Sequence, residues 1–305
     1  MMRNWIAVDW GTSSLRAWHM SPADVVLDQR RSDQGMGGLA PDAFEPALLT
    51  LVADWLEGRD TTDVVICGMA GARQGWQEAP YQAVPCAPVG PSVAVKTRDP
   101  RLNVHLLAGL CQNEPADVMR GEETQIAGYM AQNPTVSGVL CLPGTHSKWA
   151  RITGGKVTGF TTAMTGEVFS LLSKKSVLRF NTADGWDDDA FARAVREGAQ
   201  RADALLTTLF SLRAGGLLAD VPAGASRARL SGLLIGAECA SCLRPGDAPV
   251  IIGDEKLGAL YHSAFNAMGI SSALADGDGL TRAGLCAAHR VIASRTGVDS
   301  TGVDK

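Results

Sequence analysis

A short apolar run that leads into a Gly-Thr-x-Ser turn occurs twice in this chain, once in each half. The first copy spans residues 5–18 and the second spans residues 139–152. In both copies another strand-like run follows the turn, which is typical of a β-hairpin. Because self-similarity within a chain is a better guide than a single motif, the repeat predicts two related domains, each presenting its turn to a shared cleft.

The first turn contains the groups that phosphate chemistry needs. Gly11 would let a ligand approach the backbone N–H groups, and Asp9 offers a carboxylate for Mg²⁺. The hydroxyls of the turn come from Thr12, Ser13 and Ser14. The alternative is an ordinary hairpin in which the Asp and Thr side chains satisfy the backbone of the turn. A single turn does not decide between these two interpretations.

Composition limits the possible partners and the compartment. The 305 residues correspond to about two domains, and 28 Lys and Arg against 32 Asp and Glu give a net charge of −4. Without a basic block, nucleic acid and anionic membranes are poor partners. The odd number of cysteines, seven, lacks metal-ligand spacing and indicates free thiols in a reducing cytosol. We see no signal peptide and no membrane span, so we expect a cytoplasmic protein.

The order of elements in the first half is three strands, a helix and a further strand. The tandem glycines of the loop that starts with Gly35 and Met36 permit close ligand approach, although a plain flexible loop is an equal alternative. The strand 63–67 ends at a loop that contains Arg73, at the end of a sheet where ligands collect. The irregular segment 76–88 begins at Trp76 and is either a substrate wall or structural coil.

Several other positions have both a functional and a structural interpretation. Glu122 and Glu123 fall in the first turn of a predicted helix, where a carboxylate serves as a general base or only complements the helix dipole. Glu167 opens another helix and could bind a ligand or cap that helix. Gly232 and Gly236 permit close approach of a ligand or of another helix. Gly253 precedes a helix whose N–H groups could point at a nucleotide.

Longer strings in the chain resemble one family over residues 6–293. They include Met-Arg-Gly-Glu-Glu-Thr at 119–124, Pro-Gly-Thr-His-Ser-Lys-Trp at 143–149, Met-Thr-Gly-Glu at 164–167 and Ser-Gly-Leu-Leu-Ile-Gly-Ala-Glu at 231–238. In these strings the chain is similar to the 2-dehydro-3-deoxygalactonokinases, within the sugar kinase, Hsp70 and actin superfamily. The resemblance implies an α/β fold of two related ribonuclease H-like (actin-like ATPase) domains around an interdomain cleft. It also implies ATP-dependent phosphorylation of the 6-hydroxyl of 2-dehydro-3-deoxy-D-galactonate in galactonate breakdown, with Mg²⁺.

The resemblance also implies roles for individual residues. Glu122 takes the position of the catalytic base, with Glu123 as its rival, and Asp9 takes the position of the metal ligand. The nucleotide would be bound by Gly11, Thr12, Ser13, Ser14, Gly144, Thr145, His146, Gly232, Gly236 and Gly253. The sugar acid would be bound by Gly35, Met36, Arg73, Trp76, Thr165 and Glu167. Because a substrate carboxylate needs a cation or N–H donors, we also take Arg73, Arg16 and Lys148, in that order, as candidates to bind it.

Two features depart from the family's wider pattern. Many sugar kinases carry an Asp in the second phosphate loop, where this chain has Pro143, so metal coordination would depend on Asp9 and on water. An acidic pair, Asp254 and Glu255, follows Gly253 in the stretch that matches the adenosine site.

We therefore expect a sugar-acid-binding domain over 1–131 and a nucleotide-binding domain over 132–305, with a closing helix at about 280–294 that could pack back on the first domain. Two alternatives are a hexose or hexosamine kinase of the same superfamily and an ATPase that depends on a protein partner. A silent sugar-acid sensor would be expected to lose Asp9 or the glutamates, and both are present. Whether the chain forms a homo-oligomer is left open.

Overall fold

The computed structural model describes residues 3–56, 58, 60–219 and 221–299. The strands are β1 (Trp5–Trp10), β2 (Leu15–Met20), β3 (Val26–Ser32), β4 (Thr62–Gly68), β5 (Tyr81–Ala83), β6 (Ser92–Val95), β7 (Leu102–Leu107), β8 (Gly109–Asn113), β9 (Ala116–Met119), β10 (Gly138–Leu142), β11 (Ser147–Thr153), β12 (Lys156–Ala163), β13 (Val250–Gly253) and β14 (Ala273–Asp276). The helices are α1 (Phe44–Val52), α2 (Glu122–Gln132), α3 (Thr165–Lys175), α4 (Asp188–Gln200), α5 (Leu205–Leu218), α6 (Ala223–Cys242), α7 (Glu255–Ala267) and α8 (Gly277–Asp299).

The chain divides into two compact units. The described residues of 1–136, 153–159 and 278–305 form the first unit, and those of 137–152 and 160–277 form the second. The chain thus leaves the first unit after α2, returns to it briefly at residues 153–159, and joins it again with α8.

The first unit contains a six-stranded sheet in the order β3-β2-β1-β4-β7-β6. Strand β1 is antiparallel to β2 and parallel to β4, which is parallel to β7. Alternate residues of β1 belong to two hydrophobic cores on opposite faces of the sheet. Ile6 and Val8 pack with α1 on one face. Trp5 and Ala7 pack with α8 on the other. Burial of both faces explains why β1 is almost continuously apolar. Its single carboxylate, Asp9, lies near the end of the strand that leads into the first turn.

The second unit contains the sheet β12-β11-β10-β13-β14. Strand β10 is antiparallel to β11 and parallel to β13, which is parallel to β14. This is the order of β3-β2-β1-β4-β7, and the pairs β10–β11, β10–β13 and β13–β14 have the directions of β1–β2, β1–β4 and β4–β7. The division between the units falls within β12, after Gly159. The repeated order confirms the predicted fold class of two related ribonuclease H-like α/β domains, because both copies of the turn join the equivalent pair of strands.

Gly232 and Gly236 lie where α6 packs against α4. A Cβ atom on Gly232 would lie 2.5 Å from the carbonyl oxygen of Phe191, and one on Gly236 would lie 2.1 Å from that of Val195. The two glycines therefore permit close helix packing, which was the structural alternative. The prediction that they bind the nucleotide is not supported.

One further segment differs from the sequence-based prediction. The irregular segment 76–88 contains β5, which pairs with β8 in the three-stranded sheet β5-β8-β9. Among the described residues, no helix is both long and apolar enough to cross a membrane.

Candidate active site

The first turn is held in shape by a neighbouring loop. The backbone N–H groups of Met36 and Gly37 donate to the carbonyl oxygens of Gly11 and Thr12 at 3.0 and 2.9 Å. Gly35 lies so close that a Cβ atom there would be 2.3 Å from the carbonyl oxygen of Thr12. The backbone of Gly35 and Met36 therefore supports the turn. Their predicted contact with the sugar acid stays a prediction.

Asp9 is paired with the arginine opposite it on the hairpin. Arg16 donates from Nε and Nη2 to Oδ2 of Asp9 at 3.2 and 2.6 Å, and also pairs with Asp278. The other oxygen, Oδ1, lies 3.7 Å from the thiol sulfur of Cys67. Arg16 is thus already engaged by two carboxylates, which makes it a weaker candidate for binding the sugar acid.

The two adjacent glutamates at the start of α2 lie in different environments. Glu123 is 2% exposed, and its two carboxylate oxygens accept from the N–H of Gly121 at 2.9 and 2.7 Å. Burial, and then the charge of Glu122, raise the pKa of Glu123 to about 8. Glu122 is only partly buried, and its Oε2 accepts from the N–H of Arg120 at 3.1 Å. Glu122 is therefore the carboxylate that a ligand could reach.

The raised pKa of Glu123 leads to a prediction about stability. As the pH rises from about 4.5 to about 8, the unfolded chain loses the Glu123 proton while the folded chain keeps it, so the free energy of unfolding should fall. Glu123→Gln removes this titration, and its stability should depend less on pH in that window. Urea denaturation at several pH values measures the effect. Equal pH dependence in the two proteins would contradict the raised pKa.

The remaining candidates in the first unit, Arg73 and Trp76, have structural contacts within that unit. Arg73 is exposed and forms an ion pair with Glu78 at 3.6 Å. The ring of Trp76 is partly buried and packs against Phe44 and Trp10, with centroid distances of 6.2 and 6.1 Å. Trp76 thus helps to build the core beneath the turn. Nothing in these contacts supports a role for either residue in binding the sugar acid.

The second turn is joined to the start of α3. A Cβ atom on Gly166 would lie 2.3 Å from the carbonyl oxygen of Gly144, and the N–H of Glu167 donates to the carbonyl oxygen of Thr145 at 2.9 Å. His146 Nε2 is 2.6 Å from Oε2 of Glu167. Thr165 and Glu167, predicted to contact the sugar acid, thus lie beside the turn predicted to bind the nucleotide. Lys148 is buried in β11 of this same unit.

A cavity of about 550 Å³ opens beside this turn, entirely within the second unit. Gly144 and Thr165 line it, Phe169 and Trp186 supply aromatic rings, and Arg227 and Lys256 supply positive charge. Such a volume, with apolar walls and a few polar groups, is typical of a small-molecule site. The sequence patterns indicated none of the lining residues Phe169, Trp186 and Arg227, since they come from different elements and form no motif.

Gly253 is not among the residues that line this cavity, and two of the N–H groups that follow it are already paired. Asp254 accepts from the N–H groups of Lys256 and Leu257, both at 3.0 Å, and so caps α7. Gly253 itself packs beside Pro143. These contacts do not support the prediction that the first N–H groups of α7 point at a nucleotide, which stays a prediction. Lys256 and Leu257 reach the cavity wall instead.

The residues present suit a divalent cation that arrives with its substrate. Within the part of the chain that the structure describes, no group of three or more His, Cys, Asp or Glu side chains could form a cage for a metal ion. Mg²⁺ usually retains several waters and needs only one or two protein carboxylates besides substrate phosphates. Asp9 can supply one such carboxylate if it binds the cation while it remains paired with Arg16.

Comparison with known proteins finds a family model and relatives that match nearly the whole chain. A family model described as 2-keto-3-deoxy-galactonokinase matches residues 9–288. The 2-dehydro-3-deoxygalactonokinase of Escherichia coli (strain K12) is 34% identical over 300 residues, which cover 96% of this chain and 100% of that protein. A candidate 2-dehydro-3-deoxygalactonokinase of Rhizobium meliloti (strain 1021) is 40% identical over 298 residues, which cover 94% of this chain and 96% of that protein.

A solved crystal structure also resembles this chain in both sequence and fold. It is of a candidate 2-dehydro-3-deoxygalactonokinase from Sinorhizobium meliloti, with 40% identity and a TM-score of 0.89. The match covers 94% of this chain and 99% of that chain. This chain therefore belongs to the 2-keto-3-deoxy-galactonokinase family.

Proposed function

We propose that this chain transfers the γ-phosphoryl group of ATP to the 6-hydroxyl of 2-dehydro-3-deoxy-D-galactonate, a cytoplasmic step of galactonate breakdown. The observation that carries the proposal is the family match over residues 9–288, a range that contains both turns and the α2 glutamates. Small-molecule substrates suit the cavity of the second unit and the absence of a basic block in the sequence.

In this proposal Glu122 is the general base. Its carboxylate accepts the proton of the 6-hydroxyl while the hydroxyl oxygen forms a bond to the γ-phosphorus. The bond from the γ-phosphorus to the bridging oxygen breaks, and ADP leaves. The support for Glu122 over Glu123 is accessibility, because Glu123 is buried and its raised pKa keeps it protonated at neutral pH.

The turns and the cavity would hold the phosphate donor. The N–H groups and hydroxyls of residues 11–14 and 144–146 are proposed to bind phosphate oxygens, and Asp9 is proposed to hold Mg²⁺ through one oxygen or a bound water. Mg²⁺ would neutralise negative charge on the phosphates. The base and ribose of ATP would occupy the cavity lined by Phe169, Trp186 and Arg227.

A coupled ADP-release assay tests the proposal. The purified protein is given MgATP with a panel of 2-keto-3-deoxy sugar acids and with neutral hexoses and hexosamines. We expect turnover with 2-dehydro-3-deoxy-D-galactonate and little with the neutral sugars. Activity on glucose alone would favour a hexose kinase, and ADP release without any sugar would favour a partner-dependent ATPase. Either result would refute the proposal.

A further inference from the structure

Helix α5 is apolar on the side that faces the core and also on a side that faces solvent. Leu209 and Leu212 belong to a buried cluster with Leu230 and Leu233 of α6. A second apolar stripe of the same helix is exposed. Its members, with their exposed fractions, are Leu206 (85%), Phe210 (64%), Leu217 (63%) and Leu218 (87%). Because a helix that is apolar on several sides is normally buried on all of them, this exposed stripe indicates a surface that another molecule covers.

The exposed apolar residues form one continuous patch. The helical repeat places positions 206, 210 and 217 on one side of α5, and Leu218 follows at its end. Phe180, which is also exposed, adjoins this side. The guanidinium carbon of Arg213 lies 5.6 Å from the ring centroid of Phe180, and Nη1 of Arg213 donates to Oδ1 of Asn181 at 2.9 Å. The α5 patch, as we call it, consists of Phe180, Leu206, Phe210, Leu217 and Leu218.

The area of the α5 patch matches half of a small dimer interface. Its residues expose roughly 600 Å², which is at the upper end for the largest apolar patch of a monomeric protein. Two such patches in contact would bury roughly 1,200 Å², the lower limit for a specific and stable interface. A second copy of this chain is therefore sufficient to cover the patch.

The order of residues in α5 suits contact with a second α5. Leu206 and Leu218 are equally far from Leu212 along the chain, and so are Phe210 and Ala214. In an antiparallel pair of α5 helices whose two-fold axis passes at the level of Leu212, Leu206 would face the partner subunit's Leu218. Phe210 would face the partner subunit's Ala214, so a large side chain meets a small one. The stripe is thus complementary to its own copy in shape.

We propose that the protein forms a two-fold symmetric homodimer through the α5 patch, with the two α5 helices antiparallel. Two-fold dimers are the commonest oligomers, and in them a single patch contacts its own copy. The inference depends on exposure and spacing, and it is independent of the proposed function. Because Leu209 and Leu212 share their buried cluster with Phe169, which lines the cavity, the dimer would hold α5 against the elements that form the cavity wall.

Sedimentation velocity over a range of protein concentrations tests the proposal. We expect the native protein to sediment at micromolar concentration as a species of twice the 32.0 kDa chain mass. Leu206→Glu and Phe210→Glu each bring two carboxylates, one from each copy, into an apolar interface and should weaken dimerisation by at least about 100-fold. Both side chains are exposed in the single chain, so the far-UV circular dichroism of each variant should equal that of the native protein.

Leu27→Glu is the matched control, because it makes the same change at an exposed leucine of β3 in the first unit. It should leave the dimer intact. A native protein that stays monomeric would overturn the inference and would leave the patch to a different kind of partner. A dimer that persists in both α5 variants, or that Leu27→Glu also dissociates, would overturn it as well.

Discussion

Glu122→Gln is expected to lower kcat by about 100- to 10,000-fold, which is the usual contribution of a positioned general base. The amide keeps the size of the side chain and its contact with the N–H of Arg120, but it cannot take a proton. The loss should therefore appear in kcat, with little change in ATP affinity. Steady-state kinetics with the sugar acid, together with the ATP-induced rise in Tm, measure the two effects separately.

Glu123→Gln is the matched control, because it makes the same chemical change one residue away. Glu123 is buried and already protonated at neutral pH, so an amide replaces a neutral carboxyl and most activity should remain. Full activity of Glu122→Gln together with an inactive Glu123→Gln would show that the base is Glu123.

Gly35→Ala should lower kcat/KM by about 100-fold and destabilise the protein by about 1–3 kcal/mol. The new methyl group would lie 2.3 Å from the carbonyl oxygen of Thr12 and 2.4 Å from the backbone nitrogen of Ser14. These are backbone atoms of the first turn, so the turn itself must move and its N–H groups lose their positions. Enzyme kinetics and urea denaturation measure the two consequences.

Gly38→Ala is the control for this substitution. It lies in the same loop, but a Cβ atom there meets nothing within 4 Å, so stability and activity should stay close to those of the native protein. Equal activity of Gly35→Ala and Gly38→Ala would show that the fit between the loop and the first turn does not matter for catalysis.

Local sequence patterns predicted much of the fold because their signals are short-range. The apolar runs around the turns 11–14 and 144–147 predicted two hairpins, and the structure places both in sheets of the same order. The glutamates after Gly121 were correctly predicted to begin a helix. In these cases the physical cause, a short apolar run that leads into a turn or a terminus favourable to carboxylates, is contained within a few residues.

The same patterns could not assign each residue to its neighbours. Spacing allowed Gly232 and Gly236 to approach either a ligand or a helix, and the packing of α4 decided for the helix. Spacing also left Glu122 and Glu123 equivalent, whereas their different burial raises the pKa of Glu123 alone to about 8. The free energy of an ionised group depends on its surroundings in space, which adjacent positions in a chain do not reveal.

The amino-acid sequence by itself determined the duplicated α/β architecture, the two turns and the family, since all of these follow from local periodicity and recognisable strings. Only the tertiary structure decided which glutamate is accessible, that Asp254 caps α7, and that the buried Glu238 accepts hydrogen bonds from Trp149 and Tyr261, which lie far apart in the chain. Burial and hydrogen-bond direction are properties of groups brought together by folding, and they set the chemistry of a site that local sequence can only outline.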